Sequence, residues 1–229
     1  MKKSIILLFI IISFSQAQIL RDDFNRAAST DISGSLKWRR LLNLNDTSAT
    51  IQLNSDSTVS PRNLLGPFNR GGVYWDSLLS DRFQVGMILR HKNGNDNVPG
   101  FHLQVMNDSS WYTGNGYGFR FQANSGQDRI DIQRITGTGT DLPTVTLLAN
   151  LNREFFDGDT LFFKIYPDGR KTAVYYSVTG ERDSISVVDV VYNPSSWIAW
   201  IQGRVFSDPI RMDNFMLGPI PYPITATAG

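Results

Sequence analysis

Apolar residues recur at every second position along most of this chain, and after residue 18 no stretch sustains a 3.6-residue period. This alternation constrains the fold most, because it gives each segment one face for a core and one for water, as a half-buried strand requires. In DRFQVGMILR (81–90), Phe83, Val85, Met87 and Leu89 share one parity; Gln84, Gly86, Ile88 and Arg90 share the other. FHLQVM (101–106) sets Phe101, Leu103 and Val105 against His102 and Gln104. YGFRFQ (117–122) sets Tyr117, Phe119 and Phe121 against Arg120 and Gln122, and DRIDIQRI (128–135) sets Ile130 and Ile132 against Asp131 and Gln133. DTLFFKIY (159–166), TAVYYSV (172–178), SISVVDVVY (184–192), WIAWIQGRVF (197–206) and IRMDNFML (210–217) continue the pattern.

Gly, Asn, Asp and Pro interrupt these runs roughly every ten residues, the rhythm of a sandwich or barrel. Between 166 and 171, Pro167-Asp168-Gly169-Arg170 reads as a hairpin turn, Pro presetting φ and Gly accepting a positive one. Only WDSLLS (75–80) reads as a helical turn. The expectation is an all-β chain of about a dozen strands.

The first 17 residues read as a secretory signal peptide. Lys2 and Lys3 form the positive start, IILLFIIISF (5–14) the apolar core, and Ser15 and Ala17 the small residues before a cut at Gln18. The apolar run is too short to span a bilayer of about 30 Å. The expectation is therefore Sec-type export to the extracellular or periplasmic space. Removing 17 residues from 229 leaves a mature chain of 212, which suits one large all-β domain over 18–218. Residues 219–229, with GPIPYPITATAG running over 218–229, read as a Pro-rich linker or tail, with a further domain expected C-terminal to it.

Without Lys2 and Lys3, the 22 basic residues fall to 20 against 21 acidic ones, a net charge of −1. A nucleic-acid or anionic-membrane partner needs a basic face, which this balance does not supply. The chain has no Cys, so packing rather than disulfides must stabilise an exported fold, and thiol chemistry and Cys-ligated zinc are excluded.

The chain opens and closes on related phrases, RDDFNRA (21–27) and RMDNFMLG (211–218). With Trp38, GYGFRF (116–121), DRIDIQRI (128–135), DGDTLFFKIYPDG (157–169) and TAVYYSV (172–178), they form a succession similar to the concanavalin A-like lectin/glucanase superfamily, laminin-G-like members included. The resemblance implies a two-sheet antiparallel jelly-roll sandwich whose terminal strands lie side by side. Phe24, Trp38 and Phe215 then enter the core. It also implies a structural Ca²⁺ at the strand edge, held by Asp22 or Asp23 with Asp213. Carboxylates suit a hard cation. The plainer alternative is that these acids cap edge strands.

The superfamily's retaining glucanases need two carboxylates on one strand face, about 5–5.5 Å apart. This chain has only Glu154 and Glu181, each solitary and beside a turn, and Asp131 lacks an acid at 129 or 133. No G-x-S-x-G elbow or phosphate-cradling loop occurs, and His91 and His102 are the only histidines. A polysaccharide lyase needs a cation for a uronate and a proton-moving group; Arg90, His102, Gln104, Arg120, Gln133 and Arg204 offer that chemistry if they share one sheet face.

Sugar binding needs flat aromatic surface with planar polar groups. Trp200 shares a parity with Gln202 and Arg204, opposite to Trp197, Ile201 and Val205, so these three are expected to face away from the core with Trp200 exposed. Trp111 and Tyr112 are expected on a loop, and Trp75 at a strand end. The residues point to a non-catalytic module for a polysaccharide or surface glycan, with Trp200, Gln202, Arg204, Trp111, Tyr112, Arg120, His102 and Gln104 as ligand contacts. A polysaccharide-degrading enzyme and an adhesive protein-binding domain are the alternatives.

Overall fold

The structure, a computed structural model, describes residues 20–41, 50–62, 70–91, 101–110, 112–122, 128–139, 142–192, 196–204 and 211–220. The expected signal peptide and most of the tail lie outside these residues. The alternating segments form two antiparallel sheets. In the eight-stranded sheet are β1 (Leu20–Asp22), β3 (Thr50–Leu53), β4 (Val59–Arg62), β6 (Phe83–His91), β11 (Thr160–Ile165), β12 (Arg170–Tyr176), β13 (Arg182–Val188) and β15 (Arg211–Pro219). The seven-stranded sheet holds β2 (Trp38–Arg40), β5 (Arg70–Trp75), β7 (Phe101–Met106), β8 (Gly116–Gln122), β9 (Arg129–Thr136), β10 (Thr144–Asn152) and β14 (Ile198–Arg204). Its order is β10-β9-β8-β7-β14-β5-β2.

Each strand sends one parity inward. Phe119 of β8 stacks on Phe163 of β11 across the two sheets, ring centroids 5.8 Å apart. Full burial of such a side chain contributes about 1.5–3 kcal/mol, and both rings have no exposed surface.

The terminal strands are neighbours, as the repeated phrases imply: β1 pairs with β15, Leu20 opposite Leu217 and Asp22 opposite Phe215. Trp38 packs between Phe24 and Phe215, with centroids at 6.4 and 4.7 Å. The buried Asp22 holds this knot. Its carboxylate accepts from the Phe24 amide at 2.9 Å, the Trp38 indole Nε1–H at 2.7 Å, and Arg26 Nη1 and Nη2 at 2.6 and 3.1 Å. The amide bond helps hold Phe24 at a φ of 54°, a conformation unfavourable for a bulky residue without such a restraint.

The Pro167–Arg170 hairpin forms as read, with Gly169 at a φ of 83° and the Gly169 amide donating to the Tyr166 carbonyl. The helical turn expected at 75–80 does not form. Trp75 ends β5, and Leu79 instead bridges Trp197, donating at 2.8 Å and accepting at 3.1 Å. A long-range pairing outweighs a short local pattern there. Arg90 falls in the eight-stranded sheet, on β6, where its Nε donates to Asp213 at 3.0 Å.

On β12, Lys171 is buried, its ammonium donating to the Gly169 and Asp189 carbonyls and lying 4.0 Å from the Tyr117 ring centroid. Burial pushes this lysine down from 10.5 to about 8. Between these values the unfolded chain holds the proton and the folded chain does not, so stability rises with pH. Lys164, lowered by burial, acts in the same sense; Tyr117 and Tyr175, raised by burial, oppose it above 10. Denaturation of the wild type between pH 8 and 10 is expected to show rising stability, with a flatter slope for Lys171→Met. An unchanged slope in the variant contradicts the assignment.

Candidate binding site on the seven-stranded sheet

The parity that leaves the core gathers on the outer face of the seven-stranded sheet. Antiparallel register aligns these residues in ranks across β9, β8, β7 and β14. One rank reads Asp131, Arg120, His102, Gln202; the next reads Gln133, Gly118, Gln104, Trp200; a third reads Ile135, Gly116, Met106, Ile198. Adjacent members stand one strand spacing apart, about 4.8 Å.

These ranks border a cavity of about 160 Å³. Its polar side is His102, Gln104, Arg120, Gln133 and Gln202; its apolar side is Met106, Ile135, Pro143, Val145 and Trp200. Pockets for drug-sized ligands run to about 300–1,000 Å³, so this one suits a single ring of a longer ligand. Gly118, between Gln104 and Gln133, lets the Ile135 side chain pack close to the sheet. A Cβ there would lie 2.9 Å from Ile135 Cδ1 and 3.6 Å from Gln104 Cγ.

The polar groups are held by one another. Gln104 Nε2 donates to Gln202 Oε1 at 2.8 Å. Asp131 has no exposed surface, and Arg120 donates to its Oδ2 through Nε at 2.9 Å and again through Nη2. Arg129 approaches the other oxygen, Nε to Oδ1 at 2.8 Å, and Gln133 Nε2 lies 3.4 Å from Oδ2.

Comparison with solved structures agrees with this architecture. The exoplasmic/lumenal domain of VIP36, in a Ca²⁺/Man₃GlcNAc-bound form, matches with a TM-score of 0.57 at 15% identity, over 77% of this chain and 83% of that one. Lectin UEA-II complexed with galactose matches at 0.59 and 8% identity, over 88% and 98%. A legume lectin-like domain from Entamoeba histolytica matches at 0.55 and 11% identity, over 72% and 84%. The fold is the concanavalin A-like lectin jelly roll. No protein-family model and no curated protein matches the chain.

On this jelly roll the residues expected as ligand contacts divide. His102, Gln104, Arg120, Trp200 and Gln202 line one cavity. Trp200, however, is 1% exposed rather than open. It does face away from the main core, but Leu41, Met106 and Ile135 form a second small core around it, with Tyr112, Tyr74 and Leu142 packed against them. The loop before β8 also presses close, since a Cβ on Gly114 would sit 3.1 Å from Trp200 Cη2. Trp200 is a wall of the cavity, and Tyr112 supports it. Arg204 ends β14, its side chain outside the described residues, as is Trp111.

The expected calcium ligands do not form a cation site. Asp22 is already occupied by four donors, Asp213 is paired with Arg90, and Asp23 is exposed and accepts from the Asn25 amide. Among the described residues no group of three or more His, Asp or Glu is arranged to hold a metal ion.

Asp131 is the site residue that sequence reasoning passed over, having weighed it only as a potential catalytic carboxylate. The signal available was its parity with Arg129 and Gln133; the register opposite Arg120 was not visible. Asp131→Asn is expected to cost about 2 kcal/mol in urea denaturation, below the range for a fully buried pair because both arginines are partly exposed. A loss under about 0.5 kcal/mol contradicts the role given to this carboxylate.

Proposed function

We propose that this chain is an exported, non-catalytic glycan-binding module that holds its ligand on the outer face of the seven-stranded sheet. The observation that carries the reading is the grouping of three carboxamides, Arg120 and His102 beside an apolar wall in one cavity. Planar amides and a guanidinium suit the paired hydroxyls of a sugar, and Val145 with Pro143 offers apolar surface to the ring's C–H face. The bound sugars named for the VIP36 and UEA-II structures support the same class of ligand. The signal-like N-terminus supports export. The reading requires no calcium at the β1–β15 edge, where the carboxylates have other partners.

Retention of residues 18–229 on immobilised polysaccharides, neutral and acidic, tests the proposal. The double variant Gln104→Ala, Gln202→Ala is expected to lose retention at least ten-fold while keeping its melting temperature within a few degrees. Wild-type retention on no polysaccharide, or retention indifferent to the double variant, contradicts it. Shortened or unsaturated chains in the eluate contradict the non-catalytic part and favour an enzyme using His102 and Arg120.

A further inference from the structure

Charge on the cavity narrows the ligand class, and the narrowing rests on the glycan-binding reading above. Asp131 is one carboxylate facing two guanidiniums, Arg120 and Arg129. The triad therefore carries a net charge of +1, formed at the edge of the cavity. Among the described residues, no Asp or Glu lines the cavity itself. The mature chain as a whole supplies no general attraction for polyanions, with 20 basic residues against 21 acidic once Lys2 and Lys3 are removed.

The orientation of Arg120 matters as much as its charge. A guanidinium has five N–H donors in a fixed fork. Arg120 spends its Nε and one Nη2 hydrogen on Asp131 Oδ2. Among the described residues, both Nη1 hydrogens and the second on Nη2 have no partner, on a side chain 22% exposed and lining the cavity. That arrangement is a bidentate donor edge, held in place by a carboxylate with no exposed surface. Its preferred partner is a planar carboxylate, which accepts two parallel N–H bonds. In the same rank, Gln202 has its Oε1 engaged by Gln104.

We infer that the cavity selects a sugar bearing a carboxylate, with Arg120 as the residue that recognises it, Asp131 as the residue that positions Arg120, and the carboxamides on the ring hydroxyls. Arg129 makes the selection possible, since without it Asp131 would cancel the charge of Arg120.

The test compares wild-type binding to a polyuronate, to the same polymer with its carboxyls reduced to alcohols, and to a sulfated polysaccharide of matched charge density. Tight binding to the polyuronate, at least ten-fold weaker binding to the other two, and a several-fold loss in Arg120→Lys support the inference. The lysine keeps the charge and loses the fork. Equal binding to polyuronate and reduced polymer overturns the acidic selection while leaving the glycan reading intact. Equal or tighter binding to the sulfated polymer replaces carboxylate recognition with unspecific attraction and also overturns it. Binding to none of the three but to another glycan overturns the acidic selection alone, and binding to no glycan at all overturns the glycan reading itself. Because the polymer comparison uses the wild-type protein, it decides the matter even if a variant at position 120 fails to fold.

Discussion

A carboxylate without exposed surface must be neutralised where it stands, and Asp131 is neutralised by two arginines reaching from neighbouring positions on β8 and β9. The outer face of the seven-stranded sheet is organised by that requirement. Arg120 is pinned in the rank that also holds His102 and Gln202, and Gln133 leans toward the same carboxylate from the adjoining rank. A long cationic side chain on an open sheet normally samples many rotamers and loses that freedom on binding. Here the order is established during folding, so a ligand meets a donor edge already in position.

The sandwich supplies what that face needs, a rigid floor. Trp38, Phe24 and Phe215 close one region of the core around Asp22, and the stacked Phe119 and Phe163 join the two sheets beneath the cavity strands. Because the inward parity of β7, β8 and β9 is fully committed to this core, the outward parity has no freedom to slip: a one-residue shift would bury Arg120 and expose Phe119. The same buried commitments leave Asp22 no lone pair to offer a cation, which separates this edge from the calcium-holding sites that the resemblance implied.

Much of the fold and part of the site were legible in the sequence, and the boundary follows from what is local. Strand parity is local, so the outward direction of His102, Gln104, Arg120, Gln133, Trp200 and Gln202 could be read from each segment alone. Strand neighbourhood is not: Gln104 bonds to Gln202 across 98 positions, and Arg90, with the same polar parity, lies in the other sheet. Burial on the outer face was equally hidden. Trp200 points away from the main core yet is covered, because Leu41 and the segment around Tyr112 fold over it. Asp131 looked like an isolated acid until the register set it opposite Arg120.

The central claim is that ligand meets the outer face of the seven-stranded sheet. Side-chain amide and guanidinium resonances followed by NMR during titration with an acidic oligosaccharide test it most directly. The account predicts that the amides of Gln104, Gln133 and Gln202 and the Nε–H of Arg120 move together and saturate at one ligand per chain, while the Arg26 and Trp38 signals at the β1–β15 edge stay fixed. Saturable shifts confined to other surfaces, with the four cavity residues unmoved, would contradict it.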